Sequence, residues 1–192
     1  MSKSGIYAKE LAEQALNLIR SADDKAVKPK QDAELLERLA NLLRESKFRD
    51  HAPLSREVTI LLSDIRGFSD VSASYPANDV VRMLNRYFAT MSDIISEFGG
   101  TIDKLMGDSI LAVFGLPEPQ DDDIRRAVAC AVKMQLAMQE FNKENQSHGM
   151  PDLYHGIGLN TGQVVASELG SKHYNEYTII GDAVNLASRI EA

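Results

Sequence analysis

Two aspartates stand where the sequence predicts the ends of neighbouring strands. Asp64 closes the apolar run VTILLSD, residues 58–64, and Asp108 lies between two apolar runs in the segment DKLMGDSILAVFG. An isolated ionised carboxylate at the end of a buried strand is costly unless a cation meets it. Paired carboxylates with one open side suit Mg²⁺ or Mn²⁺, which complete their shells with water and phosphate oxygens. The pair therefore indicates phosphoryl-transfer chemistry at two metal ions, although aspartates also serve as plain turn residues.

The elements that must hold this pair follow from the spacing of apolar residues. The spacing predicts a strand over residues 58–64, a long helix over about 77–98 and a further helix over 124–142. Between those helices, residues 101–115 predict a hairpin with its turn at 107–108. The first strand and the hairpin can lie side by side in one sheet, and the two carboxylates would then converge at one edge of it.

The rest of this region completes one α+β unit. Residues 153–170 predict two short strands around Thr161 and Gly162, and residues 176–192 predict a strand, a glycine and a helix. The resulting order is β-α-β-β-α-β with additions. This order is typical of a ferredoxin-like α+β sandwich, an antiparallel sheet with helices packed on it.

Two amphipathic helices are predicted ahead of this unit, within residues 1–50. A polar linker around Pro29 separates them, and leucines recur at helical spacing after Asp32. The leucine pattern is shorter than the three or four heptads that define a coiled coil. Packing of these helices on each other or on the main domain, and a dimerising or regulatory role, therefore both stay open. A second linker, DHAPLSRE, leads into the main domain, residues 55–192.

Composition excludes several classes of protein. The chain has 192 residues and a formal net charge of −7, without a basic stripe, which argues against a nucleic-acid partner. No run approaches the roughly 20 apolar residues of a membrane span, and no secretory signal is visible at the start. The single cysteine, Cys130, predicts a small buried hydrophobe. We expect a cytoplasmic chain that makes no membrane contact itself, while a longer parent protein could be membrane-anchored.

Three blocks of sequence together resemble a known family. They are ILLSDIRGF, DKLMGDSILAVFG and EYTIIGDAVNLASRIEA, in this order and at similar spacing to the family. They resemble the class III nucleotidyl cyclase domain, the catalytic domain of adenylyl and guanylyl cyclases, over about residues 56–192. The family's palm-like core agrees with the α+β order predicted from the apolar spacing.

The resemblance implies roles for the first two blocks. Asp64 and Asp108 match the residues that hold two Mg²⁺ or Mn²⁺ ions, with the backbone carbonyl of Ile65 as a further ligand. Backbone N–H groups of the turn and helix start that follow would meet the nucleotide phosphates, because such groups attract anions. These N–H groups belong to Gly67, Phe68 and Ser69.

The resemblance also implies how the base, the ribose and the α-phosphate are held. Lys104 matches the residue that contacts adenine N1 in ATP users, where guanine users typically have Glu, and Thr178 would accept from the adenine amino group. Asn185 would orient the ribose, and Arg189 would stabilise charge on the α-phosphate. The plainer interpretations are a surface lysine, a strand threonine, a helix-capping asparagine and a solvated arginine.

Taken together, the resemblance implies an adenylyl cyclase with Thr at the base-specifying position. Such an enzyme converts ATP to 3′,5′-cyclic AMP and pyrophosphate, at sites shared across a homodimer. A guanylyl cyclase is one alternative, while a diguanylate cyclase is disfavoured because the GGDEF-type turn is absent. The family domain normally continues past Ala192 with a lysine for the terminal phosphates, so we expect a C-terminally truncated domain. A catalytically silent nucleotide-binding or dimerisation module is therefore the second alternative.

Overall fold

The computed structural model describes residues 53–171 and 174–192. The helices predicted within residues 1–50 lie outside the described residues, so they remain predictions. Among the helices that the structure describes, none combines the length and apolar character that a membrane span requires.

Nine helices and strands follow one another along the described residues. Their bounds are β1 (Leu54–Ile65), α1 (Phe68–Ser74), α2 (Ala77–Glu97), β2 (Thr101–Met106), β3 (Ser109–Phe114), α3 (Asp123–Ser147), β4 (His155–Ser171), β5 (Tyr174–Ile180) and α4 (Asp182–Glu191). The predicted long helix and hairpin are confirmed. The helix predicted over 124–142 is longer than expected and continues to Ser147.

All five strands form one antiparallel sheet in the order β2-β3-β1-β4-β5. This arrangement confirms the α+β fold class and places β1 beside the hairpin, as predicted. The prediction of two short strands around Thr161 and Gly162 is wrong, because β4 runs through both residues without a break. Thr161 lies opposite Thr59 of β1, and Gly162 lies opposite Val58. The threonine–glycine pair is therefore part of a ladder that joins two long strands.

Each face of the sheet buries its own apolar cluster, since successive strand residues point to opposite faces. On one face, Leu61 and Ile65 of β1 pack against Tyr87 of α2 and Met134 of α3. Cys130 of α3 is fully buried in this cluster, which confirms its predicted place as a small hydrophobe.

The opposite face is covered by α4. There Ile60 and Leu62 of β1 form a second cluster with Leu111 of β3, Val164 of β4 and Ala187 of α4. Alternation along β1 places Asp64 on this second face, in line with Ile60 and Leu62. The first carboxylate of the predicted pair therefore shares a face of the sheet with α4.

Candidate active site

Strand pairing brings the two aspartates together. Ser63 of β1 lies opposite Ile110 of β3, so the next residue, Asp64, lies against the start of β3. There the Ser109 hydroxyl donates a hydrogen bond to Asp64 Oδ1. The backbone N–H of Ile65 in turn donates to the Asp108 carboxylate. The turn between the hairpin strands has a left-handed glycine, Gly107, at φ 64°, which suits a residue without a Cβ.

The site carries negative charge that the described side chains leave poorly balanced. The pKa of Asp108 is raised, first by burial and then by the charge of Asp64, although two backbone N–H groups oppose the shift. A carboxylate whose ionised form is disfavoured by a neighbouring negative charge is suited to a divalent cation close by. Within the described residues, no group of three His, Cys, Asp or Glu side chains is arranged to hold a metal ion.

A third carboxylate lies behind this pair and is neutralised by an arginine. Glu191 of α4 is buried, and burial raises its pKa, as do the charges of Asp64 and Asp108 to a smaller extent. Arg66, which follows the strand, opposes that shift through an ion pair of 3.0 Å. The Arg66 guanidinium also donates to the Glu191 carbonyl. The loop after β1 is thereby fastened to the end of α4.

A buried hydrogen-bonded chain supports the same strand end from the other face. The Ser63 and Tyr87 hydroxyls lie 2.8 Å apart, and the Tyr87 hydroxyl lies 2.9 Å from Nδ1 of His155. Burial raises the pKa of Tyr87 and lowers the pKa of His155 to about 4. Both rings are therefore neutral at physiological pH. Their hydrogen bonds hold Ser63, the residue next to Asp64, in place.

The predicted phosphate-binding residues follow Arg66, one residue beyond the end of β1. Gly67 caps α1 with φ 66°, and its carbonyl accepts from the N–H groups of Asp70 and Val71. Phe68 packs its ring partly against the core, and Ser69 is exposed. The first N–H groups of a helix have no partner within the helix, so those of Phe68 and Ser69 can meet an anion. Residues 67–69 are thus placed next to the carboxylate pair.

The predicted base and ribose residues line one cavity of about 250 Å³ on the α4 face of the sheet. Lys104 of β2, Thr178 of β5 and Asn185 of α4 all contribute to it. The Lys104 ammonium lies 2.9 Å from a carboxylate oxygen of Glu176. The cavity has an apolar floor formed by Leu62, Leu111, Ile179 and Val184. An apolar slot with a few polar groups is suited to a planar base.

Glycines in β4 allow α4 to approach the sheet closely enough to build this cavity. A Cβ on Gly158 would collide with the Ala187 carbonyl and would lie 2.6 Å from the Glu191 nitrogen. The Asn160 side chain adds a hydrogen bond of 2.9 Å to the Ala183 carbonyl of α4. Asn185 is exposed at the rim of the cavity, and Arg189 is exposed one turn further along the helix.

The predicted residues therefore form two groups. Asp64, Ile65 and Asp108 lie together at one end of β1, whereas Lys104, Thr178 and Asn185 share the cavity, whose lining includes neither aspartate. Arg189 is not part of that lining.

The sequence pattern missed several supporting residues, because their contacts are long-range. These residues are Ser109, Asp103, Glu176, Glu191 and His155.

The family of the chain follows from a match to a family model. Residues 51–192 match the model described as the adenylate and guanylate cyclase catalytic domain. The chain belongs to this family. The resemblance seen in the three sequence blocks is thereby confirmed. Members of the family generally use divalent metal ions, in agreement with the carboxylate pair of this cyclase domain.

Curated relatives are named as adenylate cyclases. One from Anabaena cylindrica is 40% identical over 144 residues, which are 73% of this chain and 28% of the relative. Adenylate cyclase 1 of Rhizobium meliloti is 32% identical over 149 residues, 78% of this chain and 22% of the relative. The cyclase domain thus spans about a quarter of the length of these relatives.

Solved structures share the fold of this cyclase domain. The guanylyl cyclase Cya2 is 48% identical, with a TM-score of 0.71 over 73% of this chain and 72% of that one. The adenylyl cyclase CyaB from P. aeruginosa is 35% identical, with a TM-score of 0.71 over 73% and 74% of the two chains. Both nucleotide specificities therefore occur among similar structures.

Proposed function

We propose that this domain is an adenylyl cyclase that converts ATP to 3′,5′-cyclic AMP and pyrophosphate. In this reaction the ribose 3′-oxygen forms a bond to the α-phosphorus and loses its proton. The bond from the α-phosphorus to the bridging oxygen breaks, and pyrophosphate leaves with that oxygen. The observation that carries the proposal is that Lys104, Thr178 and Asn185 share one cavity, while Asp64 and Asp108 are paired.

The carboxylate pair would hold two Mg²⁺ or Mn²⁺ ions. Asp64 and Asp108 supply oxygen ligands, and the Ile65 carbonyl adds a backbone oxygen. When bound, such ions lower the pKa of a hydroxyl and offset charge on phosphate oxygens. The Ser109 hydroxyl and the Ile65 N–H orient the two carboxylates before any ligand arrives. Backbone N–H groups of Gly67, Phe68 and Ser69 would meet the phosphates.

Base recognition would depend on two edge strands. Lys104 carries three N–H donors, so one can reach adenine N1 while another stays with Glu176. The Thr178 hydroxyl would accept from the adenine amino group. Lys104 is an unsuitable partner for guanine, whose N1 carries a hydrogen. This pair favours ATP over GTP.

The helix α4 would supply the residues that act on the ribose and the α-phosphate. Asn185 and Arg189 are four residues apart, so they lie on one helix face. Asn185 would position the ribose, and the permanent charge of Arg189 would stabilise the charge that develops at the α-phosphate. Because the nucleophile and the phosphorus belong to one molecule, positioning accounts for much of the rate.

The active site is proposed to lie between two copies of the chain. The carboxylate pair and the base cavity are separate within one chain, since neither aspartate lines the cavity. In a twofold dimer, the carboxylates of one subunit would face the cavity of its partner, which gives two equivalent sites.

Guanylyl cyclase activity is the second candidate. It is favoured by the 48% identity to the guanylyl cyclase Cya2. The two candidates differ in base choice, so a competition between ATP and GTP separates them.

The test is cyclic nucleotide formation by the 192-residue chain with Mn²⁺ and with ATP or GTP. We expect cyclic AMP as the main product, and a loss of about 100-fold or more in D64N and D108N, because each removes a charged metal ligand. D93N changes an exposed aspartate of α2 and serves as the matched control with wild-type activity. If the wild-type chain binds nucleotide without turnover, the proposed cyclase activity is contradicted and the catalytically silent nucleotide-binding module is favoured.

A further inference from the structure

The hydroxyl that would read the base is itself held by a buried carboxylate. The Thr178 hydroxyl of β5 donates a hydrogen bond of 2.7 Å to Oδ2 of Asp103 in β2. The other oxygen of Asp103 accepts from the backbone N–H of Ile179 at 3.2 Å. The Asp103 side chain is only 6% exposed, and the Lys104 ammonium lies 3.7 Å from it. One carboxylate therefore joins the two edge strands behind the base cavity.

Both oxygens of Asp103 thus act as hydrogen-bond acceptors, and these contacts oppose the effect of burial on its ionisation. Burial raises the pKa of Asp103, and the nearby charge of Glu176 adds to this shift. The Thr178 hydroxyl, the Lys104 charge and the Ile179 N–H oppose it. Each of these three groups interacts favourably with a negative oxygen, and two of them donate hydrogen bonds to it.

An ionised carboxylate fixes what its partner hydroxyl can offer to a ligand. A carboxylate only accepts hydrogen bonds, so the single hydroxyl hydrogen of Thr178 must point to Asp103. The lone pairs of the hydroxyl then remain for the cavity. Thr178 would thus present an acceptor and no donor, which suits an amino group at position 6 of a purine. A carbonyl at position 6 would meet oxygen lone pairs without a hydrogen between them.

We propose that Asp103 is a positioning residue for base specificity, which selects a 6-amino purine by orienting the Thr178 hydroxyl. This inference rests on the proposed function, because it names how that site rejects 6-oxo purines such as guanine. The alternative role of Asp103 is structural, namely that it only joins β2 to β5. The two roles predict different changes in the preference for one nucleotide over another, rather than in overall activity.

The decisive variant is D103N, which keeps the size of the side chain. The amide oxygen can still accept from Ile179, while the amide NH₂ faces Thr178 and donates to its hydroxyl. The hydroxyl hydrogen is then released toward the cavity and can meet a 6-oxo group. We expect the preference for ATP over inosine triphosphate to fall about fivefold in D103N, the effect of about one hydrogen bond. Inosine triphosphate is the probe because it differs from ATP only at positions 1 and 6.

The preference is measured twice, as kcat/KM for cyclisation and as the ratio of dissociation constants from competition with a fluorescent ATP analogue. The single variant T178V and the double variant D103N/T178V complete the cycle. Without the hydroxyl, D103N should have no further effect on the ratio. D93N, an equal change at an exposed aspartate, should keep the wild-type ratio.

The outcomes separate this inference from the proposed function. If D103N weakens the binding of ATP and of inosine triphosphate equally, the ratio of their dissociation constants is unchanged. This result would overturn the role of Asp103 and leave the cyclase proposal intact. Failure of the wild-type chain to cyclise either nucleotide would contradict the proposed function. The binding ratio would still decide whether Asp103 sets base preference.

Discussion

A neutral histidine ring lies behind the strand end that carries the first metal-binding candidate. His155 is buried and pairs across the ladder with Ile65, the residue after Asp64. Its Nδ1 contacts the Tyr87 hydroxyl, while its Nε2 is buried without a hydrogen-bond partner. A charged imidazolium there would lack a counter-ion within its hydrogen-bonded chain. Protonation of this ring should therefore oppose folding.

This arrangement predicts a pH dependence of stability. The pKa of His155 is about 4 in the folded protein, below the ordinary value of 6.5. Between these two values the unfolded chain binds more protons, so the free energy of unfolding falls as the pH drops. The loss should reach about 2 kcal/mol between about pH 7 and about pH 5. Urea denaturation across this range measures it for the wild type and for H155Q, which should lack this component.

The control for this prediction is a histidine outside the core. His148 is the C-cap residue of α3 and is exposed, so H148Q should keep the wild-type dependence. A slope in H155Q equal to that of the wild type would show that other groups cause the pH dependence.

Residues with a local signal could be predicted, and residues with only long-range partners could not. Asp64 and Asp108 follow apolar runs and precede or occupy turns, so their pairing followed from the strand order. Asp103 and Lys104 are neighbours in one strand, and the resemblance implies a role for Lys104 alone. The partner of Asp103 is Thr178, 75 residues away on the opposite edge strand. No periodicity within either strand indicates that the two edges meet.

At the level of elements, the error in β4 has a physical cause. Thr161 and Gly162 resembled a turn, because glycine commonly marks one. Here Gly162 lies in a strand, and a Cβ on it would be 2.8 Å from the Cβ of Ala183 in α4. The glycine serves a close approach between helix and strand, which is the other common reason for glycine in a strand. The local sequence is the same in both cases, so only the packing partner distinguishes them.

The same contact predicts a graded effect of methyl groups along β4. G158A places a Cβ against the backbone of α4 at Ala187 and Glu191, which cannot move without displacing the helix. In G162A the new methyl group is close to the methyl group of Ala183, which is a side-chain atom and not the helix backbone. We expect G158A to lower the free energy of unfolding by about 3 kcal/mol, near the upper end for overpacking, and G162A to lower it by about 1 kcal/mol.

Chemical denaturation measures both variants, and cyclase activity gives a second measurement. At a low temperature, where G158A is folded, its cyclase activity should still fall below that of the wild type. The reason is that α4, which the new methyl group displaces, carries Asn185 and Arg189. Equal destabilisation by both variants would mean that α4 adapts to either methyl, and that the glycines do not set its position.

At the scale of the whole molecule, the two groups of candidate residues raise the question of how one nucleotide reaches both. The Arg66–Glu191 ion pair fastens the loop after β1 to α4 within one chain. The carboxylate pair and the base cavity nevertheless do not share a lining. A second copy related by a twofold axis would supply the missing half to each.

Complementation between inactive variants tests this shared site directly. D108A removes a metal ligand and N185A removes the ribose contact, so each homodimer should be inactive at both sites. A mixed dimer combines the intact aspartate of one chain with the intact asparagine of the other, which restores one site of two. With random exchange in an equal mixture, half of the dimers are mixed, so about a quarter of wild-type activity should return. Two D108A preparations with independent tags, mixed in the same way, are the control and should stay inactive. If the D108A and N185A mixture stays inactive while sedimentation shows mixed dimers, each site is built from one chain, and the carboxylates must then reach the cavity by a movement within it.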